Sequence, residues 1–221
     1  MACCQCQGIE RLFGRREALR KLDAYARHGP DRTTRLLLNA VKSAGAEGAT
    51  LLDIGGGIGV AQLELLAAGA LRATDVDASS AYLNVAREEA RRRGYRDRVT
   101  YRHGDFVALA PEIEPADIVT LDRVICCYHD MPALVRASAA KARRLYGLVY
   151  PRDAWWTRCF SASENTVFRV RRHPYRSFIH PPRLVNTLVR RTGLERRLLH
   201  QGAFWQVALY ARPDGVSRSN V

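Results

Sequence analysis

One short stretch of this 221-residue chain places an aspartate and three glycines at every second position. Asp53, Gly55, Gly57 and Gly59 occupy every second position, and an apolar run from Leu51 leads into them. A buried strand, a glycine-rich turn and a helix start form the arrangement by which α/β proteins bind nucleotide-like ligands. Glycine permits positive φ and has no Cβ, so a ligand can lie close to the main chain. The stretch therefore predicts a binding loop whose helix N–H groups receive an anionic group.

The spacing of the glycines narrows the class of ligand. The dinucleotide fingerprint G-x-G-x-x-G would require a third glycine at Val60 or Gln62, and neither position has one. The chain also lacks the Gly-Lys-Ser/Thr sequence of a P-loop. A NAD-dependent dehydrogenase is therefore disfavoured. Taken alone, the same glycine pattern is also compatible with a turn between strand and helix that binds no ligand.

A second acid follows the next predicted strand. Asp77 comes roughly 20 residues after the glycine loop, where an acidic side chain can accept hydrogen bonds from both ribose hydroxyls of a nucleoside. Asp75 is the competing position. We favour Asp77 because Asp77-Ala78-Ser79 has the form of a strand end that leads into a helix cap. This placement predicts Asp77 and Ala78 beside the ribose.

Two further acids end the third and fourth predicted strands. Asp105, followed by Phe106, comes after the strand at 98–103, and Asp122 ends the strand at 117–122. Asp105 can accept a hydrogen bond from an adenine amino group, with the Phe106 ring beside the base. Each acid taken singly is also explained as a helix cap or a turn former. Acids at four successive strand ends favour one shared binding edge.

The elements that position these acids alternate between strand and helix. Alternation of this kind predicts a parallel sheet with helices on both faces, and the last two strands are predicted to form an antiparallel pair. The predicted strands lie at 50–54, within 69–77, and at 98–103, 117–122, 145–150, 194–200 and 203–211. The predicted helices between them lie at 58–68, 80–94, 132–143 and 182–191.

Two helices are predicted before the first strand. Apolar residues at helical spacing predict one helix from Ile9 to Arg27, which His28-Gly29-Pro30 ends. Asp31 is then predicted to cap a second helix that continues to Gly45. These helices serve either as a lid over the site or as a cover for the sheet edge.

Residues 151–182 depart from the alternation of strand and helix. They combine tryptophan, phenylalanine and tyrosine with six arginines. The segment forms either a wall around a flat anionic substrate or a helical cap that packs its aromatic rings inward. The predicted organisation is therefore a helical flank or lid at 1–48, and an α/β domain at 49–221 that carries this segment as an insertion.

Composition indicates a globular protein with a strongly basic surface. The chain is 47% hydrophobic and 26% charged, and its net charge is +13. Such a charge attracts RNA, DNA or an anionic membrane, although the basic residues are spread along the chain. The sequence has no apolar run as long as a membrane span and no signal-peptide pattern in its first ten residues. We therefore expect a cytoplasmic protein without a membrane span.

The six cysteines do not predict a metal site or disulfides. Cys3 and Cys6 have the C-x-x-C spacing, but the sequence contains no second such pair and no H-x₃₋₅-H partner, and the expected compartment keeps thiols reduced. The pair Cys126-Cys127 is expected to fill small apolar spaces rather than to act as a nucleophile. The role of the N-terminal cysteines stays open. The cysteines are Cys3, Cys4, Cys6, Cys126, Cys127 and Cys159.

Together these motifs resemble the cofactor-binding motifs of the class I S-adenosylmethionine-dependent methyltransferases. The matching segments, in order, are Leu51 to Gly59, Asp77, Gly104-Asp105-Phe106 and Asp117 to Asp122. The segments Ile9 to Phe13, Leu121 to Tyr128 and Tyr175 to His180 are similar to the magnesium-protoporphyrin O-methyltransferase branch of that class. The resemblance implies a Rossmann-like seven-stranded sheet, mostly parallel, with helices on both faces and an antiparallel last strand.

The resemblance also implies the cofactor S-adenosyl-L-methionine and no metal. Its binding residues would follow the strand ends of the predicted sheet. They are Asp53, Gly55, Gly56, Gly57, Gly59, Asp77, Ala78, Asp105, Phe106 and Asp122.

Methyl transfer from a sulfonium requires alignment and exclusion of water more than it requires acid–base chemistry. An ionised carboxylate acceptor needs no base, whereas a phenol or an amine acceptor can need one. His129 and Asp130, just past the fourth strand, are the predicted base positions, with Tyr128 next. A lone loop histidine is also explained by a structural role. Three arginines are predicted to bind a substrate carboxylate: Arg123, Arg152 and Arg176. The alternative for each of them is a solvated position on the surface.

The sequence therefore predicts a methyltransferase that acts on a small molecule, most readily at oxygen. Two alternatives stay open: methylation of RNA or DNA, which the charge suggests, and a non-catalytic cofactor-binding protein of the same fold. The Asn/Asp-Pro-Pro-Tyr/Phe signature of adenine-N6 methyltransferases is missing after the fourth strand, where Asp122-Arg123-Val124-Ile125 stands instead. This difference disfavours nucleic acid as the acceptor.

Overall fold

Helices and strands alternate along most of the chain, as the apolar pattern predicts. The computed structural model describes residues 4–213, and side chains from Cys6 onward. The strands are β1 (Thr50–Ile54), β2 (Arg72–Asp77), β3 (Val99–His103), β4 (Ala116–Asp122), β5 (Ala142–Pro151), β6 (Glu195–Gln201) and β7 (Trp205–Ala211). The helices are α1 (Cys4–Leu12), α2 (Arg15–His28), α3 (Arg32–Ser43), α4 (Val60–Ala67), α5 (Ser80–Arg92), α6 (Phe106–Leu109), α7 (Met131–Ala140), α8 (Trp155–Val170) and α9 (Pro182–Arg190).

The strands form one seven-stranded sheet in the order β3-β2-β1-β4-β5-β7-β6. Strands β1 to β5 pair in parallel, whereas β7 is antiparallel to both β5 and β6. The chain order reverses at β1, because β2 lies on one side of it and β4 on the other. Ligands of open parallel sheets bind at such a reversal. The predicted fold class is confirmed.

Two apolar cores cover the two faces of the sheet. Leu52 and Ile54 belong to one core, which contains buried residues of α7 and α9. Leu51, the neighbour of Leu52, belongs to the other core, together with buried residues of α2 to α5. Alternate residues of a strand point to opposite faces, so a strand covered on both sides is apolar at nearly every position.

The N-terminal segment forms two helices where the sequence predicted one. The chain turns at Gly14, whose extended backbone (φ −80°, ψ 175°) precedes α2, so α1 and α2 are separate. Contacts with distant residues hold α1 in its own direction. Ser79 donates from Oγ to the carbonyl of Phe13, and Ser80 N donates to Glu10 Oε2 at 3.0 Å. Local spacing did not reveal this turn, because the residues that stabilise it lie more than sixty positions away.

The predicted helix cap at Asp31 is confirmed. Its carboxylate accepts hydrogen bonds from the N–H groups of Thr33 and Thr34 at the start of α3. The segment at 151–182 contains one sixteen-residue helix, α8. The division into a flank at 1–48 and a domain at 49–221 stays a prediction.

None of the helices between Cys4 and Ala211 combines the length and the apolar character that crossing a bilayer requires. The expected cytoplasmic location stays a prediction.

Candidate functional site

A cavity of about 760 Å³ lies at the carboxyl ends of β1, β2, β3 and β4. This volume falls in the range of small-molecule sites. We call its lining residues at 53–61, 76–82 and 104–106 the strand-end side. We call the lining residues of α1, α2 and α8, together with Phe13, Cys126, Cys127 and 175–179, the helical side.

Positive φ at alternate glycines shapes the floor of the strand-end side. Gly55, Gly57 and Gly59 have φ of 64°, 59° and 82°, a region that residues with a Cβ rarely adopt. A Cβ at Gly55 would also lie 2.4 Å from Cγ2 of Val124. Gly55, Gly56 and Gly57 line the cavity with main chain alone, whereas Gly59 precedes α4 and does not line it.

Asp77 connects the glycine loop to the start of α5. Its Oδ2 accepts a hydrogen bond from Gly57 N at 2.9 Å, and its Oδ1 accepts one from Ser79 N at 2.8 Å. Burial raises the pKa of Asp77, while these two N–H groups oppose the shift. A carboxylate oxygen can accept more than one hydrogen bond, so both oxygens can still receive ribose hydroxyls. Asp77 and Ala78 line the cavity, and Asp75 does not.

Two buried carboxyl groups lie behind the loop, where Asp53 of β1 pairs with Asp75 of β2. Asp53 accepts hydrogen bonds from Thr120 Oγ1 at 2.7 Å and Gln62 Nε2 at 3.4 Å. Neither oxygen of Asp75 has a hydrogen-bond partner within the described residues. Burial, reinforced by the neighbouring acids, raises the pKa of Asp75 well above its ordinary value. A Cβ at Gly56 would lie 2.6 Å from Asp75 Oδ1 and 2.7 Å from Asp53 Oδ2, so packing requires glycine there.

The third strand-end acid is held by the protein itself. Asp105 accepts a hydrogen bond from Val107 N at 3.0 Å and so caps α6. The hydroxyl of Tyr128 donates to Asp105, at 2.9 Å from Oδ1 and 3.0 Å from Oδ2. Phe106 is buried and lines the cavity beside this pair. Tyr128, predicted as a base position, therefore already has its proton directed at Asp105.

Asp122 and Arg123 join the end of β4 to the start of α3. Thr34 donates from Oγ1 to Asp122 Oδ2, and Arg123 Nη2 donates to Asp31 Oδ2. The Arg123 guanidinium also lies 5.4 Å from the ring centroid of Trp205. Arg123 has φ of 63°, which is unusual for a residue other than glycine and is concentrated at functional sites. Arg123 lines the cavity, but its ion pair with Asp31 already neutralises part of its charge.

The structure brings eleven of the predicted site residues to the cavity wall. They are Asp53, Gly55, Gly56, Gly57, Asp77, Ala78, Asp105, Phe106, Asp122, Arg123 and Tyr128. Five others do not line it: Gly59, His129, Asp130, Arg152 and Arg176.

Two of the three predicted base positions, His129 and Asp130, do not line the cavity. His129 is exposed, and its ring stacks on Tyr128 at 5.3 Å between centroids. Asp130 is exposed and accepts a hydrogen bond from Ala133 N at 3.0 Å, which caps α7. The placement gives no support to a catalytic role for either residue, and that role stays a prediction.

Two of the three predicted substrate arginines make contacts within the protein instead. Arg152 donates to the carbonyl of Gly202 at 3.0 Å and lies over the ring of Trp156. Arg176 donates to the carbonyls of His173 and Tyr175, both at 2.5 Å. Both arginines are half-buried, and these contacts stabilise the 151–182 segment.

Sequence reasoning missed Lys21, a residue of α2 on the helical side of the cavity. Its Nζ lies 5.5 Å from the ring centroids of both Phe13 and Tyr82. No acceptor or acid contacts this amine within hydrogen-bond or ion-pair range in residues 6–213. The side chain is open to the cavity, yet surrounding protein atoms desolvate the amine and lower the pKa of Lys21. The sequence signal was weak: Lys21 is one of three lysines, with Lys42 and Lys141.

The cysteine pair also lies on the cavity wall. Sγ of Cys126 and Sγ of Cys127 are 3.8 Å apart, and Sγ of Cys127 is 3.1 Å from the Tyr175 hydroxyl. Cys6 is buried and lines the same cavity. Cys3 and the side chain of Cys4 lie outside the described residues. Among residues 6–213, no three His, Cys, Asp or Glu side chains are grouped as a metal site would require.

Comparison with known proteins adds a family match at the same place. Residues 51–146 match the methyltransferase domain family. The match begins in β1 and ends in β5, so it contains the glycine loop and every strand-end acid described above. No curated protein sequence matches the chain.

Solved structures of several methyltransferases share the fold. Magnesium protoporphyrin IX methyltransferase from Synechocystis PCC 6803, with bound SAH, is 18% identical over 82% of this chain and 82% of that chain, with a TM-score of 0.66. An O-methyltransferase family protein from Burkholderia thailandensis is 19% identical over 90% of this chain and 60% of that chain, with a TM-score of 0.66. A putative RNA methyltransferase from Pyrococcus horikoshii is 14% identical over 81% of each chain, with a TM-score of 0.58.

Proposed function

We propose that this protein, whose residues 51–146 match the methyltransferase domain family, uses S-adenosylmethionine to transfer a methyl group to an oxygen atom of a small acceptor molecule. The observation that carries the proposal is the shape of the cavity. It extends from the glycine loop to a helical side lined by aromatic rings, two thiols and the amine of Lys21. An apolar recess with few polar groups suits a small organic acceptor.

The strand-end side fits the cofactor. Gly55 to Gly57 present bare main chain, and the carboxylate of Asp77 is held in place with capacity for two hydroxyl donors. Asp105 and Phe106 offer an acceptor and a ring for a purine. When bound, S-adenosylmethionine supplies a methyl group that is already activated by the sulfonium charge.

The helical side provides alignment and exclusion of water. The rings of Phe13, Tyr175 and Phe178 line the cavity, and the Lys21 amine adds one positive charge among them. An acceptor whose oxygen is ionised near neutral pH would pair with that charge and would need no base. A carboxylate or an acidic phenol is therefore the acceptor class that these residues favour.

Methylation of RNA is the second candidate. The net charge of +13 supports it, as does the fold shared with the putative RNA methyltransferase. A protein that neutralises several phosphates loses affinity steeply as salt rises. Tight binding of tRNA at physiological salt, with this steep dependence, would favour RNA over a small molecule.

Calorimetric titration with S-adenosylhomocysteine followed by a labelled-methyl acceptor screen tests the proposal. The panel should contain porphyrin and aryl carboxylates, phenols, amines and tRNA, and labelled products should be treated with mild base. Base releases the label from a methyl ester but not from an ether or an N-methyl group. Label in a carboxylate or a phenol supports the proposal, and label in tRNA alone contradicts it. Cofactor binding without transfer to any acceptor would instead indicate a non-catalytic binding protein.

A further inference from the structure

Helix α8 turns a polar face toward the protein. Thr157 is buried and donates from Oγ1 to the carbonyl of Arg152 at 2.7 Å. One turn later, Ser161 donates from Oγ to the carbonyl of Ser177 at 3.0 Å. Asn165, one further turn along, donates from Nδ2 to the same carbonyl at 2.7 Å and accepts from Ser177 N at 2.8 Å. Because these hydrogen bonds recur once per turn, they fix which face of the helix points inward.

The opposite face of α8 is mainly apolar and exposed, with the exposed Ser163 between its apolar residues. Trp156, Phe160, Val167 and Val170 follow the spacing i, i+4, i+11 and i+14, which places them on one side of the helix. They are 41%, 56%, 48% and 77% exposed, and the adjacent Trp155 is 73% exposed. We call these five residues the α8 stripe. A helix of a soluble domain ordinarily buries such a stripe, so this one requires a partner.

Basic residues border the α8 stripe. Arg169, Arg171 and Arg172, at the end of the helix, are exposed and form no ion pair with any acid of residues 6–213. Arg158 at the other end is paired with Asp153 at 2.6 Å. The border therefore carries net positive charge.

We propose that the α8 stripe binds an anionic lipid surface, with the helix lying in the plane of the interface. Interfacial helices combine aromatic and aliphatic residues that enter the bilayer with basic residues that contact anionic headgroups. A second copy of the chain is a poorer partner, because a two-fold contact would bring the same arginine-bordered face against itself. This inference does not depend on the acceptor of the methyl group.

Docking in this orientation also positions the cavity. Phe160, Ser161 and Glu164 of α8 line its helical side. The bilayer would therefore lie beside the cavity wall, and Phe160, which belongs to the α8 stripe, would contact both.

Vesicle binding of the full chain tests the proposal. Two of the three tryptophans, Trp155 and Trp156, belong to the α8 stripe, so intrinsic fluorescence reports on it directly. We expect a blue shift and co-sedimentation with phosphatidylcholine vesicles that contain phosphatidylglycerol. Affinity for pure phosphatidylcholine should be lower by at least about tenfold, since each arginine near an anionic surface contributes about a fivefold factor.

Two variants with matched controls separate the apolar and basic contributions. Trp155→Ser/Val167→Ser/Val170→Ser removes exposed apolar surface and should abolish co-sedimentation, whereas Leu71→Ser, at a residue 56% exposed elsewhere, should not. Arg169→Gln/Arg171→Gln should lower affinity for anionic vesicles by more than about tenfold. Arg190→Gln/Arg191→Gln makes the same charge change on α9 and should have a smaller effect.

Three outcomes would overturn the proposal: no binding to anionic vesicles, binding that ignores lipid charge, or binding that the α8 variants leave intact. A concentration-dependent dimer in light scattering, lost in the stripe variant and without vesicle binding, would assign the α8 stripe to a second copy instead. Circular dichroism of each variant establishes that it is folded.

Discussion

The two sides of the cavity are built in different ways. The strand-end side uses runs of consecutive residues at the ends of three strands. Some of the hydrogen bonds that hold them are local, as from Gly57 N to Asp77, which are 20 positions apart. The helical side collects residues from α1, α2, α8 and residues 175–179, which are far apart in sequence. One contact across it, from the Tyr175 hydroxyl to Cys127, spans 48 positions.

This difference separates a rigid part of the site from an adaptable one. On the strand-end side, glycine is required by both backbone conformation and packing, and Asp53 and Asp77 are buried. On the helical side, the Lys21 amine has aromatic rings but no acid beside it. We infer that the first side determines the cofactor and that the second side determines the acceptor.

The largest expected effect, on both stability and cofactor binding, comes from replacing a glycine of the loop. Gly55→Ala should lower the free energy of unfolding by about 2–5 kcal/mol, because it combines a left-handed backbone with a Cβ that overlaps Val124. Urea denaturation measures this change, and calorimetry should show no binding of S-adenosylhomocysteine. Gly94→Ala is the matched control, since Gly94 has φ of 79° and open space around its Cβ position. Equal losses in both variants would show that packing against Val124 contributes nothing.

Removal of the Asp77 carboxylate should have the next largest effect, and the affected quantity is cofactor affinity. Asp77→Ala should weaken S-adenosylhomocysteine binding by about 1–3 kcal/mol, because it removes an acceptor and leaves the N–H groups of Gly57 and Ser79 without one. Asp130→Ala also removes a capping carboxylate, but outside the cavity, and should leave the affinity unchanged. Unchanged affinity in the Asp77 variant would remove Asp77 from the site.

The buried acid behind the loop should make stability depend on pH. The pKa of Asp75 is raised in the folded state, so its contribution to stability is present below the unfolded value of about 3.9 and is lost as pH rises through the folded value. Asp75→Asn should therefore stabilise the protein at pH 8 relative to the wild type, and should do so less at pH 4. Urea denaturation at both pH values measures this difference. Asp97→Asn, which changes an exposed acid, is the control. If Asp75→Asn had the same effect on stability at pH 4 and pH 8, the explanation would be contradicted.

The smallest expected effect is on the helical side. The amine of Lys21 should titrate below the ordinary lysine value of about 10.4, because burial disfavours its charged form. Reductive methylation with ¹³C-formaldehyde labels the three lysines, and their NMR signals can be followed against pH. Lys21→Arg assigns the signal by removing it. A Lys21 signal that titrates in the ordinary range would show that the cavity does not desolvate the amine.

Much of the strand-end side was predictable from sequence because local chemistry determines it. A turn with φ above zero at alternate positions requires glycine, and a strand covered on both faces requires consecutive apolar residues. Both requirements are visible within the ten residues from Leu51 to Val60. The position of Asp77 on the cavity wall, and of Asp75 behind it, was likewise predictable from a strand end followed by a helix cap.

The helical side could not be predicted in the same way. The turn at Gly14 depends on contacts of α1 with Ser79 and Ser80, and periodicity contains no information about them. His129 and Asp130 follow a strand end as the acids do, yet they lie outside the cavity wall, while Lys21 of α2 lies on it. Sequence proximity to a strand end places a residue near the site but does not decide the direction of its side chain.

The sequence by itself determined the sheet, the glycine loop and the acids of this protein, because strand alternation and backbone conformation are local properties. The tertiary structure alone decided that α8 turns its polar residues inward and its tryptophans outward. Its hydrogen bonds with Ser177 fix that orientation, and they form only when distant parts of the chain have been brought together.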